Sequence, residues 1–207
     1  MTSEFHPSDP QRFAAAIRRF DEENGRDPNQ ISIEGTSRPR ELVYAQWLTD
    51  WVLRLSPDAS EELRLAARSQ HLCRWTVPRE SYPMTRPGYL RWREELKKFH
   101  AHKAGEILAE VGYPPETIKR VQNLNLKKDF PQDAETRVLE DALCLVFLER
   151  QLGDLASKTS EDKVVNALQK SWKKMTPAAQ EQALKLSYSP AEKVLLEKAL
   201  NPSQETT

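Results

Sequence analysis

Apolar side chains recur every three or four residues along most of the chain, which is the spacing of one face of an α-helix. The pattern predicts helices over about 10–24, 40–55, 57–75, 89–111, 115–126, 135–155, 161–174, 177–186 and 190–200. Residues 25–38 lack the pattern and are predicted as a loop. Residues 76–87 also lack it and contain three prolines, so we expect an irregular crossover there.

The composition favours an all-α fold. Six glycines in 207 residues leave few tight hairpin turns, and no continuous β-branched run occurs. Neither a G-x-G-x-x-G sequence nor a Walker-type lysine motif is present. No linker is long enough to separate two cores. We therefore expect one helical domain over about 1–200 and a polar, disordered tail over 201–207.

Charge and apolar content exclude several classes of protein. Lys+Arg 31 against Asp+Glu 31 gives zero net charge, which excludes a histone-like or strongly acidic protein. No apolar run approaches the roughly 18 residues of a membrane span, and the N-terminus MTSEFHPSDP lacks the apolar core of a signal peptide. Two cysteines, Cys73 and Cys144, are too few for a disulfide framework. We therefore expect a cytoplasmic protein with no membrane partner.

Positive charge is concentrated in residues 68–103. This window holds nine basic residues against three acidic ones, and six of the nine are arginines. It also contains Trp75, Tyr82, Tyr89, Trp92 and Phe99. Arginine binds phosphate or carboxylate through a planar fork of donors, and aromatic rings add stacking surface. The window indicates a pocket for a small anionic ligand or nucleotide around the 76–87 crossover. The alternative is a solvated basic face.

Asp141 is a polar residue at a position where the helix pattern places the core. It shares a face with Cys144, Leu145 and Leu148, so we expect it to be buried. A buried carboxylate is costly unless it is paired, hydrogen-bonded or bound to a metal. A functional role is one interpretation, and a salt bridge to an arginine or a cap for another helix is the other. Its neighbour Glu140 is predicted to be half exposed.

His71, His100 and Tyr44 also fall on inward faces of their predicted helices. His102, two residues beyond His100, points away from it and is predicted to face solvent. The Tyr44 hydroxyl needs a buried partner, although packing alone would explain a tyrosine here. Two inward histidines and one inward aspartate, contributed by three helices, favour a site.

These positions resemble, in order and spacing, the HD-domain superfamily of helical metal-dependent phosphohydrolases. The segment ELVYAQWLTDWV looks like the first helix of that pattern, with Tyr44 in place of a histidine. AARSQHLCRW looks like the His-Asp segment, with His71 kept and Leu72 in place of the aspartate. FHAHKAGEIL matches through His100, and VLEDALCLVFLE places Asp141 at the metal-binding position.

This resemblance covers about residues 38–150. It implies an HD-like helical core over about 38–157, with additional N- and C-terminal helices. His71, His100 and Asp141 would then form a three-ligand set for one Zn, Mn or Fe ion. Two ligands of the usual pattern are replaced, so the alternative is a protein that binds an anion in the same cavity without any metal.

A second resemblance extends along the whole chain. The segments FDEEN, RELVYAQWLTDWVLRLSPDAS, RPGYLRWREELKKFHAHKAGEIL, VLEDALCLVFLE and SWKKMT resemble an uncharacterised conserved family, a domain of unknown function. Some of its members are labelled glutamyl-tRNA synthetase. This chain has no HIGH-like or KMSKS-like nucleotide motif and no room for a catalytic Rossmann domain, so the resemblance implies no established activity.

The HD-like resemblance predicts a metal-dependent hydrolase of a small phosphate ester or nucleotide. The metal would lower the pKa of a bound water, and Tyr44 or Tyr89 would orient water or substrate. Developing charge would be neutralised by Arg74, Arg79, Arg86, Arg93 and Lys97. Two alternatives stay open: a metal-free anion- or nucleotide-binding module, and a mononuclear iron oxygenase. Zero net charge and the lack of a known motif argue against a nucleic-acid partner, and the oligomeric state is left open.

Overall fold

The computed structural model describes residues 5–201, and most of them are helical. Ten α-helices within that range confirm the predicted all-α class. Contacts divide the chain into two compact units, Met1–Thr136 and Arg137–Thr207. The expected single domain over 1–200 stays a prediction, and the expected tail lies outside the described residues except for Asn201. Within the described range, no helix combines the length and the apolar character needed to cross a membrane.

The first unit is built around packed helices. They are α1 (Pro10–Asn24), α2 (Arg40–Leu55), α3 (Glu61–Ser69), α4 (Arg86–Glu110) and α5 (Pro115–Leu126). α3 packs against α2 and α5, α4 packs against α5, and α1 contacts α3 and α4. Aliphatic side chains such as Leu63, Leu65 and Ile107 are fully buried between them. Each buried leucine or isoleucine contributes about 1.5–3 kcal/mol, so this core holds the polar groups described below in place.

A β-hairpin occupies part of the segment that was predicted as a loop. Strands β1 (Gln30–Ile33) and β2 (Thr36–Pro39) pair antiparallel, with Gln30 opposite Pro39 and Ile33 opposite Thr36. Glu34 and Gly35 connect them with φ values of 50° and 81°, the two left-handed residues of a two-residue hairpin turn. The loop prediction was wrong here because the two strands are only four residues long, and TSRP shows no alternation of apolar and polar residues.

α3 is shorter than its apolar pattern predicted. It ends at Ser69 rather than near residue 75, and a turn separates it from a 3-10 helix over Arg74–Thr76. Cys73 lies in the left-handed region at φ 55°, and its N–H donates to the Asn24 side chain 3.1 Å away. Because this partner comes from α1, the turn is set by a tertiary contact. It places His71 on a turn instead of on a helix.

The start of α2 is held by a side chain from the preceding loop. Pro39 occupies the N-cap position and has no side chain that can cap the helix. Asp27, which is buried, accepts a hydrogen bond from the Glu41 N–H at 3.0 Å. The Arg40 N–H donates to the Asn29 carbonyl at 2.9 Å. These two bonds satisfy backbone donors that the helix itself leaves free, and they fix two charged residues at its first turn.

The second unit contains the remaining helices. They are α6 (Ala134–Val146), which begins just before the boundary, α7 (Leu152–Lys158), α8 (Glu161–Lys174), α9 (Pro177–Leu184) and α10 (Pro190–Leu200). α8 packs against α10 and α7. A π-helical turn over Phe147–Gln151 separates α6 from α7. The single helix predicted over 135–155 is therefore interrupted, which hydrophobic periodicity does not reveal.

The crossover between α3 and α4 folds back onto the first turn of α4. Arg79 holds it in this shape, since its guanidinium donates to the carbonyl oxygens of Tyr82 at 2.9 Å, Pro83 at 2.8 Å and Thr85 at 3.3 Å. Three hydrogen bonds from one charged group order a segment that would otherwise lack regular structure. The predicted irregular crossover is confirmed.

Gly88→Ala should destabilise the protein by about 1–3 kcal/mol, measured by urea unfolding. A Cβ at residue 88 would lie 2.1 Å from the carbonyl oxygen of Pro83, so the crossover would have to move. Gly105→Ala on the same helix is the matched control. Its Cβ would meet Nε2 of Gln122 at 2.3 Å, the far end of a flexible side chain that can rotate away. An equal loss in both variants would contradict this account of the crossover.

Candidate functional site

A buried carboxylate, Glu41, lies in the first turn of α2. His71 Nδ1 is 3.4 Å from one carboxylate oxygen, and the guanidinium groups of Arg40 and Arg74 lie 3.6 and 3.9 Å from the other. Burial raises the pKa of Glu41, and the positive charges of Arg74 and Arg40 oppose that rise. One carboxylate thus holds partners on α2, on the turn after α3 and on the 3-10 helix.

Periodicity alone could have found Glu41, which the sequence analysis passed over. Glu41 precedes Tyr44, Ala45 and Leu48 by three, four and seven residues, and all four are buried. This is the same inward spacing that singled out Asp141. A charged residue among apolar neighbours on an inward face is the signal in both cases.

His71 lies between Glu41 and Arg74. The Arg74 guanidinium donates to His71 Nε2 at 3.4 Å, so that nitrogen accepts and the ring proton sits on Nδ1, which faces Glu41. The Tyr44 ring stacks on the imidazole with centroids 4.2 Å apart. Burial lowers the pKa of His71 well below its usual value, and the charge of Arg74 lowers it further. His71 is therefore a neutral imidazole, with 18% of its side chain exposed.

His100 lies deeper, next to His71. The two ring centroids are 5.8 Å apart, and His100 is buried on α4 as predicted. Its Nδ1 donates to the Leu72 carbonyl at 2.8 Å, which leaves Nε2 as a buried acceptor with no hydrogen-bond partner among residues 5–201. Burial, with the nearby His71, lowers the pKa of His100 to about 3. The prediction for His102 is also confirmed, since 74% of its side chain is exposed.

Four positive charges act on His71 electrostatically, and we call them the basic cluster. They are Arg40, Arg74, Arg93 and Lys127. Each lowers the pKa of His71, which places all four within electrostatic reach of its ring. They come from α2, the 3-10 helix, α4 and the residue that ends α5, so the tertiary structure assembles them. Glu41 is the carboxylate that two of them share.

A pocket of about 380 Å³ opens beside the basic cluster. It is lined by Pro28, Asn29, Arg40, Arg74, Trp75, Val77, Pro78, Arg79, Glu80 and Trp92. Its volume is within the range of small-molecule sites, about 300–1,000 Å³. Its walls include the crossover, where the charge pattern predicted a pocket. Trp92 supports the wall, because its indole N–H donates to the Val77 carbonyl at 2.9 Å and the Arg74 guanidinium lies over its ring at 5.0 Å.

The other predicted cations occupy different environments. Arg79 lines the pocket, but its guanidinium is committed to the crossover carbonyls. Arg86 and Arg93 are exposed on α4, although the charge of Arg93 still acts on His71, and Lys97 pairs with Glu94 at 2.6 Å. Of the predicted substrate-binding residues, Arg74 is thus the one that joins the pocket to the buried histidines.

The two predicted tyrosines differ in exposure. Tyr44 is buried beneath the site, whereas Tyr89 is 40% exposed, and its ring lies 5.9 Å from both the Arg79 and the Arg93 guanidinium. Tyr89 therefore belongs to an arginine-rich outer surface of the first unit. The catalytic roles assigned to both tyrosines stay predictions.

Asp141 is buried as predicted, with 4% of its surface exposed, and it belongs to the second unit. Its two oxygens accept hydrogen bonds from the Thr176 N–H at 2.9 Å and from the Thr176 hydroxyl at 2.6 Å. The same hydroxyl accepts from the Ala179 N–H and caps α9. Burial raises the pKa of Asp141, and the Thr176 bonds oppose that rise. The carboxylate thus fixes the start of another helix, which was the structural alternative.

Glu140 is buried, so the prediction that it is half exposed was wrong. It forms an ion pair with Lys174, whose Nζ is 3.0 Å from a carboxylate oxygen. The two neighbouring acids on α6 therefore engage the end of α8 and the start of α9. Among residues 5–201, no group of three or more His, Cys, Asp and Glu side chains is placed to hold a metal ion. The set His71, His100 and Asp141 stays a prediction from the sequence.

These features define an all-α protein in which the buried Glu41 and His100 flank the half-buried His71 beneath a rim of arginines. The chain belongs to the family described as domain of unknown function DUF4202, whose model matches residues 14–196. This confirms the expected membership in an uncharacterised family. Comparisons with curated proteins and with solved structures found no match. The HD-domain resemblance and the synthetase label of some relatives stay predictions.

Removing the Thr176 hydroxyl should destabilise the second unit. Thr176→Val leaves one Asp141 oxygen without its 2.6 Å donor, and we expect a loss of about 1–3 kcal/mol in chemical unfolding. Thr176→Ser keeps both donors and is the matched control. Asp141→Asn, combined with Thr176→Val, should cost less than the sum of the two single changes. Strict additivity would show that the two side chains do not interact.

Stability should fall as the pH is lowered from 7 to 5. The folded-state pKa values of His71 and His100 lie below the unfolded value near 6.5, so the unfolded chain binds more protons in acid and unfolding is favoured. At pH 5 the loss from His100 is about 2 kcal/mol, and His71 adds a loss in the same direction. The raised pKa of Glu41 acts in the opposite direction and offsets part of it.

The histidine contribution can be isolated by substitution. His100→Gln should reduce the loss between pH 7 and pH 5 by about 2 kcal/mol, measured by denaturant unfolding at each pH. His102→Gln, at an exposed position of the same helix, should leave the loss unchanged. If both variants keep the pH dependence of the parent protein, a neutral buried His100 is excluded.

Proposed function

We propose that this protein binds a small phosphate-bearing anion, without a metal, in the pocket beside the basic cluster. One observation carries the proposal. The Arg40 and Arg74 side chains are 50% and 31% exposed, line the pocket, and share one carboxylate oxygen of the buried Glu41 at the long distances of 3.6 and 3.9 Å. Neither guanidinium is saturated by that contact, so both have donors available for a ligand.

The local charge balance supports an anionic ligand. Three arginines, Arg40, Arg74 and Arg79, line the pocket against one lining carboxylate, Glu80. Glu41 adds one further negative charge beneath Arg40 and Arg74, and burial disfavours that charge. A cleft whose lining carries an excess of one sign of charge concentrates ligands of the opposite sign. Phosphate accepts paired hydrogen bonds from the planar guanidinium, which makes Arg40 and Arg74 suitable for it.

The site is preorganised, which lowers the cost of binding. Trp92 packs under the Arg74 guanidinium, and Arg79 fixes the crossover wall through its three carbonyl contacts. His71 holds the Arg74 side chain from below. Side chains that are already ordered lose little conformational entropy when a ligand binds.

The metal-dependent hydrolase has one supporting observation. His71 and His100 each have Nδ1 next to an oxygen acceptor, as metal-bound histidines usually do. However, Arg74 lies against His71 Nε2, where a metal would bind, and both Asp141 oxygens are engaged by Thr176. Because these ligand atoms already contact other groups, His71 and Asp141 do not fit the predicted metal site. The iron oxygenase hypothesis depends on the same three residues, and no further observation supports it.

Arg74→Gln should abolish most of the binding of inorganic pyrophosphate. Each charge-assisted hydrogen bond contributes about 1.5–3 kcal/mol, so we expect the dissociation constant to rise at least about tenfold in calorimetric titration. Arg86→Gln is the matched control, since Arg86 is exposed and does not line the pocket. Pyrophosphate should also raise the melting temperature of the parent protein and of the control.

Two results would overturn the proposal. The first is equal weakening of pyrophosphate binding in Arg74→Gln and Arg86→Gln, which would indicate a diffuse surface effect. The second is about one Zn, Mn or Fe per chain after reconstitution, lost in both His71→Ala and Asp141→Asn, together with metal-dependent phosphoester turnover. Those two findings together would support the metal-dependent hydrolase hypothesis instead.

A further inference from the structure

Trp75 lines the pocket, and its indole N–H makes no contact with residues 5–201 that stabilises the fold. It belongs to the 3-10 helix that also carries Arg74, and it is half-buried. Its indole N–H has no hydrogen-bond partner in the described part of the chain, whereas the Trp92 indole donates to the Val77 carbonyl. A half-buried tryptophan usually places its N–H on an acceptor, so Trp75 offers both a flat face and a free donor to a ligand.

Trp92 is already covered. The Arg74 guanidinium lies 5.0 Å from its ring centroid and the Arg79 guanidinium 6.0 Å from it. Among residues 5–201, no ring or guanidinium stacks on Trp75. Of the two tryptophans that line the pocket, Trp75 is the one with a face left for stacking.

Glu80 adds an acceptor to the same pocket. It is exposed, it has no hydrogen-bond or ion-pair partner in the described range, and it is the one carboxylate among the pocket-lining residues. A carboxylate beside arginines would repel phosphate, but it accepts paired hydrogen bonds from a group that presents two donors. The pocket thus combines donors for an anion, a stacking face and an acceptor for a polar ring edge.

We propose that the pocket binds a nucleoside phosphate, with the phosphates on Arg40 and Arg74, the base stacked on Trp75 and the base edge on Glu80. This inference rests on the proposed function and specifies the ligand of the same site. Bases stack on aromatic side chains because every base has a π-face. Guanine presents adjacent N–H and NH₂ donors to a carboxylate, whereas uracil presents a single N–H, so the site should prefer guanosine to uridine phosphates.

The test compares three probes of equal phosphate number: pyrophosphate, guanosine 5′-diphosphate and uridine 5′-diphosphate. In calorimetric titrations of the full chain, the guanosine probe should bind about tenfold more tightly than pyrophosphate. Trp75→Leu should bring this ratio close to one, and Trp75→Phe should retain most of it. Because the ratio is taken within each variant, partial loss of folded protein does not affect it.

A second variant tests the base edge. Glu80→Gln should narrow the preference for the guanosine probe over the uridine probe, which we expect to be about tenfold in the parent protein. Arg74→Gln should weaken the binding of all three probes by a similar factor.

The outcomes separate this inference from the function on which it rests. If the guanosine probe and pyrophosphate bind equally, and both depend on Arg74, the anion site stands and the nucleoside inference is overturned. A guanosine preference that survives Trp75→Leu also overturns it. If no probe binds, both proposals fall. A guanosine preference that depends on Trp75 and narrows in Glu80→Gln supports both.

Discussion

The buried carboxylate of Glu41 constrains the candidate site in the first unit more than any other group. The carboxylate is shielded from solvent, and an ionised group that is buried in this way is stable only when it has close partners. His71, Arg40 and Arg74 supply them from three segments. Arg74 in turn rests on Trp92 and lines the pocket. The positions of the pocket-lining arginines Arg40 and Arg74 therefore follow from how the Glu41 carboxylate is paired.

The second unit uses a similar device for a different result. Two neighbouring acids on α6 reach the connection between α8 and α9, where Glu140 pairs with Lys174 and Asp141 accepts two hydrogen bonds from Thr176. In both units, a carboxylate on an inward helical face organises a distant turn. In the first unit, that turn is followed by the partly exposed guanidinium of Arg74, which has donors available to a ligand. In the second unit, both Asp141 oxygens accept from the N-cap residue of α9, so the arrangement stabilises the fold.

Most helices could be predicted from the sequence because their signals are local. Apolar spacing found the inward faces that bear Tyr44, His100 and Asp141, and all three are buried. The errors lie where another segment intervenes. α3 ends early because the Asn24 side chain from α1 holds the Cys73 N–H. The 30–39 hairpin was missed because its only local signal is a two-residue turn.

The sequence by itself determined the all-α class, the family and the inward positions of Tyr44, His100 and Asp141, because helical periodicity is read over a few neighbouring positions. Only the tertiary structure decided which of those residues meet. Thr176, the partner of Asp141, lies 35 residues along the chain, and Glu41 meets His71 through the packing of α2 on α3. Pairing across such separations depends on how helices pack, and local spacing carries no information about it.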